Sequence, residues 1–267
     1  SLSGAIPESM TNLVNLCVPG TEYPCGDFFG LELAHNYLNT SGYSYELVNF
    51  LNTKDPDWAN TQLIPPFSNC EEMTAIPVSE CLALENLYHV TDGANWINHQ
   101  NWLQTNDPNT WFGITVSDGH VTHLNLSDNQ LAGFIPGELG SLDELISLDL
   151  SNNLLINEIP VELSNLKNLQ ELNLWKNKLI GTFPKEFGTM TNLQFLDLSE
   201  NQLGGSIPYE IGNIGDLEYL ALVKNNFEGL IPAELGNLSS LKTLFLSFNQ
   251  FSGEIPPELG NLTNLSA

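Results

Sequence analysis

Leucines return every 24 residues along the second half of the chain, in pairs separated by one residue. The pairs lie in six segments that align without a gap from residue 121 onward. Their members are Leu124, Leu148, Leu172, Leu196, Leu220 and Leu244, followed two residues later by Leu126, Leu150, Leu174, Leu198, Leu222 and Leu246. Because alternate residues of a strand face opposite sides, each pair predicts a short strand with both leucines turned inward. Six such units predict a solenoid whose successive strands pair in parallel, about 4.8 Å apart.

An asparagine follows each predicted strand. Its amide can pair with backbone groups where the chain leaves the strand, so the column predicts an asparagine ladder along the solenoid. The ladder residues are Asn129, Asn153, Asn177, Asn201, Asn225 and Asn249. Four residues later, five of the six units have a glycine and the remaining one has Asn157. This column predicts a turn with positive φ, which glycine and then asparagine tolerate best.

The units share the consensus LxxLxLxxNxL, continued by GxIPxxLGxLxxL. This pattern resembles the leucine-rich repeat family. Its second half is similar to the plant-type subclass found in receptor ectodomains, secreted inhibitors of cell-wall-degrading enzymes and many bacterial surface proteins. The resemblance covers 121–267 and implies an α/β solenoid: a right-handed coil with a short parallel concave sheet, helical caps and an irregular or 3-10 convex side. It also implies that ligands bind on the concave face.

The start of the chain reads as the end of another repeat block. Residues 2–16, LSGAIPESMTNLVNL, align with 131–145, and LELAHNYL at 31–38 adds one more strand and asparagine. An amphipathic segment follows, so we expect residues 1–62 to end a block and close it with a C-terminal cap. The Pro-rich stretch 63–78 is interpreted as a linker.

Residues 79–120 are similar to the N-terminal cap of bacterial leucine-rich repeat proteins. Ser79 is the expected N-cap of a helix. The apolar side of this helix is predicted to be Leu82, Leu84, Leu87 and Tyr88. Trp96, Trp102 and Trp111 are interpreted as cap core rather than as a ligand box. The block that follows, 121–267, has six 24-residue repeats and is predicted to be open at its C-terminal end.

The two ends of the sequence are complementary phases of one repeat. Ala267 aligns with Ser147, and Ser1 aligns with Leu154. We therefore expect either one period of a longer covalent array or a subunit that stacks head to tail with copies of itself. Heterologous contacts of the second kind build open filaments.

Charge narrows the possible partners. The chain has 267 residues, with 7 Lys plus Arg against 32 Asp plus Glu and a net charge of -25. Such a field repels phosphate backbones and anionic lipid, which disfavours nucleic acid and membrane surfaces as partners. No apolar run approaches the 18 or so residues of a membrane span, so membrane insertion is not expected.

The four cysteines form two local pairs, Cys17 with Cys25 and Cys70 with Cys81. No CxxC motif is present and no histidine stands at zinc spacing, which disfavours a metal site. We expect two disulfides in an oxidising compartment, with four reduced, partly buried thiols as the alternative. The first interpretation places the protein outside the cell or on the cell surface.

Catalytic and cofactor motifs are missing from the sequence. It contains no GxSxG, HExxH or Gly-rich phosphate loop, so we expect neither an enzyme nor a cofactor. The scattered histidines are interpreted as solvated turn residues. They are His35, His89, His99, His120 and His123.

The outward-facing strand positions differ between repeats. The first two repeats carry Asn, Asp and Ser, whereas repeats three to six carry aromatic and aliphatic residues. The predicted concave binding patch comprises Glu171, Trp175, Phe195, Tyr219, Val223, Lys224, Phe245 and Phe248. Exposed aromatic residues on neighbouring strands indicate a contact with a protein partner, a glycan or a neighbouring copy. The alternative is sequence drift on a permissive surface.

Our first hypothesis is an extracellular structural or adhesive protein that forms an extended fibre by continued solenoid stacking. The alternative is a monomeric recognition module, like a receptor ectodomain or a secreted inhibitor, that binds a protein or polysaccharide on its concave face. Ice binding on a flat Ser/Thr/Asn face is a third class, which the irregular concave columns disfavour.

Overall fold

A computed structural model describes residue 70 and residues 73–266 of the chain. These residues belong to one compact unit, Asn69–Ala267. The cap and repeats predicted within 1–62, and the predicted Cys17–Cys25 pair, lie outside the described residues. Among the described residues, no helix has both the length and the apolar character needed to cross a bilayer.

The unit begins with a cap built on helix α1, Val78–Val90. The helix starts two residues earlier than expected, because Pro77 rather than Ser79 occupies the N-cap position. The predicted apolar side is also wrong at Leu82, whose side chain is exposed. At about 100° per residue, the buried stripe that holds Leu84 and Leu87 excludes position 82.

Part of the predicted linker belongs to this cap. Cys70 forms a disulfide with Cys81 on α1, with 5.6 Å between the two Cα atoms. Cys70, Met73 and Ile76 are buried in the core that also contains Leu84. The cap therefore includes residues that the sequence assigned to 63–78.

Aromatic rings fill the cap interior. Trp96, Trp102 and Trp111 are all buried, and their ring centroids form a chain with steps of 4.9 and 5.2 Å. Each indole N–H donates to a backbone carbonyl, from Trp96 to Thr91, from Trp102 to Phe112 and from Trp111 to Thr105. The interpretation of these residues as cap core is confirmed.

A seven-stranded sheet forms the concave side. The cap hairpin of β1 (Ile114–Ser117) and β2 (His120–Asn125) is antiparallel, and every later pairing is parallel. The later strands are β4 (Ser147–Asp149), β6 (Glu171–Asn173), β7 (Phe195–Asp197), β9 (Tyr219–Ala221) and β11 (Thr243–Phe245). Each repeat adds one strand with its leucines inward, as the 24-residue period predicts.

Two smaller parallel sheets follow the asparagine turns. One pairs β3 (Ala132–Phe134) with β5 (Leu154–Ile156). The other contains β8 (Gly204–Gly205), β10 (Asn226–Gly229) and β12 (Gln250–Phe251). The glycines of this turn have φ between 70° and 144°, and Asn157 has φ 67°, which confirms the predicted positive φ.

The convex side is a stack of 3-10 turns, each preceded by a proline. They span Gly137–Ser141, Val161–Asn165, Lys185–Thr189, Tyr209–Asn213, Ala233–Asn237 and Pro257–Asn261. Neighbouring turns approach so closely that a Cβ on Gly188 would lie 2.4 Å from the carbonyl oxygen of Glu210. The solenoid with a parallel concave sheet and a 3-10 convex side is thus confirmed.

The ladder asparagines bind the backbone of adjacent turns. The amide of Asn177 donates to the carbonyl of Leu150 in the preceding repeat at 3.0 Å, while its Oδ1 accepts from Leu155 N at 3.1 Å. Asn153 and Asn201 make the corresponding bonds. These bonds satisfy backbone groups that the turn would otherwise leave unpaired in the core.

Candidate functional site

The concave sheet aligns the outward side chains of successive repeats in columns. Strand register places Phe195 opposite Glu171 on one side and Tyr219 on the other, with Thr243 next to Tyr219. The rear four repeats carry what we call the aromatic strip. It consists of Trp175, Phe195, Tyr219, Phe245 and Phe248.

Three rings of the aromatic strip touch one another. Phe195 and Tyr219 stack with 4.4 Å between centroids and an interplanar angle of 10°. Phe245 meets Tyr219 edge to face at 6.0 Å. Within the described residues, Trp175 and Phe248 make no ring–ring contact. Phe248 is 76% exposed and Phe245 is 39% exposed, so one end of the aromatic strip is open to solvent.

Trp175 belongs to a charged network at the strand exits. Its ring has the Lys176 ammonium 5.4 Å from the centroid, and its indole N–H bonds to the Glu200 carboxylate. Lys224 Nζ lies 2.8 Å from Glu200 Oε1. The bond to Lys224 holds the pKa of the Glu200 carboxyl below its ordinary value, with further lowering by the Lys176 charge. This carboxylate therefore has a cationic partner within the chain.

Asp197, unlike Glu200, has no cationic partner among the described residues. Its side chain accepts from Ser199 N at 2.8 Å and from the Tyr219 hydroxyl. Burial outweighs these bonds and raises the pKa of the Asp197 carboxyl. Burial and the neighbouring Asp197 charge likewise raise the pKa of the Tyr219 phenol.

The remaining predicted residues lie on the same face. Val223 is half-buried and its N–H donates to Ser199 Oγ at 3.0 Å. Glu171 accepts a hydrogen bond from the Ser147 hydroxyl at 2.8 Å. The predicted patch omitted Asp197, although its outward position next to Phe195 could have indicated it.

The strand exits have a conformation that the sequence analysis missed. The residue before each ladder asparagine has φ between 51° and 58°. These residues are Asp128, Asn152, Lys176, Glu200, Lys224 and Phe248. Non-glycine residues rarely adopt this conformation. Lys176, Glu200, Lys224 and Phe248 thus occupy a strained position that the ladder fixes in every repeat.

In the first two repeats, outward side chains bond to their own turns. Asn125 Oδ1 accepts from Ser127 N and from its hydroxyl, and Asp149 Oδ1 accepts from Ser151 N. These are local Asx-type turns, and Asp197 in the fourth repeat forms the same turn with Ser199 N.

The interpretation of His120 as a solvated turn residue is wrong. Its Nδ1 lies 2.6 Å from Oε1 of Glu80, a carboxylate buried under the cap. The other oxygen of Glu80 accepts from Val121 N at 2.8 Å. The Glu80 hydrogen bond raises the pKa of His120. This pair joins helix α1 to the first strand of the solenoid and therefore has a structural role.

Several solved structures share this fold. The ectodomain of the Arabidopsis thaliana receptor kinase GASSHO1/SCHENGEN3, in complex with CASPARIAN STRIP INTEGRITY FACTOR 2, is 34% identical (TM-score 0.65; 70% of this chain, 23% of that one). The Arabidopsis receptor kinase HAESA, in complex with the peptide hormone IDA and the co-receptor SERK1, is 33% identical (TM-score 0.62; 70% and 32%). A plant ice-binding protein is 29% identical (TM-score 0.64; 69% and 60%).

The chain spans less than two thirds of each of these proteins. No curated protein matches its sequence significantly. A family model described as a leucine-rich repeat region matches residues 120–266, which is more than half of the chain. Together with the parallel sheet and the asparagine ladder, this match shows that the chain belongs to the leucine-rich repeat family.

Proposed function

We propose that this protein is an extracellular recognition module that binds an extended segment of a protein or peptide on the aromatic strip. The observation that carries the proposal is the contiguous set of rings at Phe195, Tyr219 and Phe245, laid across three parallel strands. Aromatic anchors of this kind supply much of the energy of protein contacts.

The fold of a repeat does not require these rings. The ladder and inward leucines are the same in front and rear repeats, yet the front repeats carry polar side chains such as His123 and Ser147 at the matching positions. Exposed apolar side chains clustered on one face are typical of a surface that becomes covered.

The dimensions fit a short stretch of extended chain. The aromatic strip covers β6, β7, β9 and β11, so three inter-strand steps of about 4.8 Å make it roughly 14 Å wide. This corresponds to about four residues of extended chain at about 3.3 Å each. The peptide-hormone complex of the related HAESA ectodomain supports a ligand of this class.

Two observations support the extracellular location. The Cys70–Cys81 disulfide is stable in oxidising compartments. The receptor structures similar to this chain are ectodomains of plant receptor kinases.

The proposal is tested by panning a phage-displayed library of random twelve-residue peptides against the purified protein. We expect enriched peptides to lose at least about tenfold in affinity for the double variant Trp175→Ala with Phe245→Ala, because hot-spot truncations cost about 2 kcal/mol or more each.

The matched control is Phe112→Ala with Tyr209→Ala, which removes two exposed rings outside the aromatic strip, one in the cap and one in a convex turn. Enriched peptides should bind this variant as they bind the wild type. Peptides that bind the concave variant unchanged, or a library that yields no enriched peptide, would overturn the proposal. A glycan array run in parallel tests polysaccharide as the alternative ligand.

The fibre hypothesis stays a prediction of the sequence. It requires stacking of the solenoid onto a further repeat, which buries apolar core that no single turn covers alone. Negative-stain electron microscopy of the purified protein tests it. Long filaments would support self-assembly, and isolated short arcs would contradict it.

Ice binding is a second candidate function because of the 29% identity to a plant ice-binding protein. The convex turns end in one polar residue per repeat, which gives a regular column. The column comprises Ser141, Asn165, Thr189, Asn213, Asn237 and Asn261. Thermal hysteresis that Asn213→Tyr abolishes would support this function, and its absence in the wild-type protein would exclude it.

A further inference from the structure

We propose that the ligand of the aromatic strip is basic and places a Lys or Arg side chain between Glu171 and Asp197, against the ring of Phe195. This inference rests on the proposed function and names the ligand's chemistry. It follows from the charges that surround Phe195.

The two carboxylates flank Phe195 on adjacent strands. Glu171 stands directly opposite Phe195 in the neighbouring strand, and Asp197 follows Phe195 by two residues on the same face. One inter-strand step of about 4.8 Å and two residues of about 3.3 Å separate their Cα atoms by roughly 8 Å. A planar guanidinium or an ammonium fits between carboxylates at this spacing and donates to both.

Neither carboxylate has a cationic partner among the described residues. Glu171 accepts from a serine hydroxyl, and Asp197 accepts from a serine N–H and a tyrosine hydroxyl. The lysine–carboxylate pairs of the described region are Lys224 with Glu200 and Lys242 with Glu218. Lys224 is thus already paired, and Lys176 lies over the Trp175 ring, 5.4 Å from its centroid.

Asp197 and Glu200 show how a neighbouring cation changes the pKa of a carboxyl group on this face. Lys224 compensates Glu200 and lowers its pKa, whereas burial raises the pKa of Asp197, three residues earlier. The charged form of Asp197 is therefore partly desolvated, and its hydrogen bonds come only from neutral groups. A ligand cation would restore the missing interaction in a partly desolvated site, where a charge-assisted hydrogen bond is strongest.

The rest of the surface favours the same sign of ligand. The outward concave positions hold five carboxylates and two lysines. The carboxylates are Asp128, Asp149, Glu171, Asp197 and Glu200, and the lysines are Lys176 and Lys224. The net charge of the whole chain is -25. The neighbouring ring of Phe195 adds a cation–π contact, for which Arg and Lys are the usual donors.

The test is the residue composition of peptides enriched from the random twelve-residue library on three proteins. These are the wild type, the concave variant Glu171→Gln with Asp197→Asn, and the convex control Glu234→Gln with Glu258→Gln. Both variants remove two exposed or half-exposed carboxylates, so they change the net charge equally. We expect Lys and Arg to be enriched on the wild type and on the control, and not on the concave variant.

Affinities of the best wild-type peptide complete the test. We expect the concave variant to lose about tenfold or more, as for a hydrogen bond to a charged group, and the control to lose less than about twofold. Equal loss on both variants would mean nonspecific attraction to the acidic surface and overturn the inference. Enriched peptides that depend on Trp175 and Phe245 but lack basic residues would overturn it and leave the proposed function intact.

Discussion

The first two and the last four repeats use one backbone but present different concave surfaces. In both regions the ladder asparagines make the same bonds, at Asn153 in the front and at Asn201 in the rear. In the front, outward positions such as Asn125 and Asp149 hold polar side chains. In the rear, outward Phe195 and Tyr219 stack on each other and remain half-exposed.

This comparison separates the residues that every turn of the solenoid requires from those that only the rear repeats have. Inward leucines and asparagines recur in every repeat because each turn must bury them and satisfy its backbone. The rear aromatic residues meet neither need, since the front folds without them. The proposed contact with another molecule accounts for their presence.

The largest effect on stability is expected at the ladder asparagines, which the front and rear repeats share. Asn153→Ala and Asn201→Ala should each reduce the free energy of unfolding by about 3 kcal/mol, since buried backbone groups lose their partners. Chemical denaturation followed by circular dichroism measures both. Asn165→Ala, an exposed asparagine in the convex turn Val161–Asn165 whose side chain makes no hydrogen bond within the described residues, is the control with a change within about 0.5 kcal/mol. A difference of more than about 1 kcal/mol between the two ladder variants would show that the regions do not share one framework.

The second-largest effect, on peptide affinity, is expected for a variant that removes the difference between front and rear repeats. A variant with Trp175→Ser, Phe195→Ser, Tyr219→Ser and Phe245→Asn gives the rear the polar side chains of the front. We expect it to fold and to bind the enriched peptides at least about a hundredfold more weakly, equivalent to about 2.7 kcal/mol. Isothermal titration calorimetry measures the affinity. Retained affinity would mean that the peptides bind outside the aromatic strip.

The stacked ring pair should make a smaller contribution to stability. Phe195→Leu removes the ring that lies 4.4 Å from Tyr219, so we expect a loss of about 1 kcal/mol in the free energy of unfolding. Thr243→Ala, in the same column beyond Tyr219, is the control with a change within about 0.5 kcal/mol. An unchanged stability of the Phe195 variant would show that the stack is not formed in solution.

The smallest effect concerns pH. Because the folded-state pKa of Asp197 lies above its unfolded value, the folded state binds more protons between the two values. Lowering the pH through this window should therefore stabilise the wild type relative to Asp197→Asn, and the charged carboxylate should be least favourable at neutral pH. Denaturation midpoints of both proteins from pH 7 to pH 4 measure the difference.

Tyr219→Phe sharpens the pH prediction. The Tyr219 hydroxyl bond lowers the pKa of Asp197, so its loss should move the transition to higher pH. A carbon-13 NMR titration of the Asp197 carboxyl follows this directly. A shift to lower pH would contradict the assigned hydrogen bond.

The sequence predicts the framework well because it repeats. Six copies of one pattern define the inward leucines, the ladder and the glycine turn, each of which depends on local spacing alone. The left-handed position at Lys176 and Glu200 was missed, because those residue types do not indicate positive φ. The Glu80–His120 pair was missed because it joins residues 40 positions apart, which no periodicity connects.

The candidate site is only partly visible in the sequence. Outward positions follow from strand alternation, which places Phe195, Tyr219 and Phe245 on one face. The stacking of two of these rings, the compensation of Glu200 by Lys224 and the burial of Asp197 depend on side-chain geometry across strands. These features distinguish Asp197, which has no cationic partner among the described residues, from Glu200, which is paired with Lys224.

The central claim is that a ligand covers the rear repeats of the concave sheet. Proton–nitrogen NMR of the tryptophan indoles tests it, because Trp175 lies in the aromatic strip while Trp96, Trp102 and Trp111 are buried in the cap. The Trp175 signal is identified by its loss in Trp175→Phe. On titration with the best panned peptide, we predict that this signal moves while the three cap signals stay in place. A peptide that binds without moving the Trp175 signal would contradict the account.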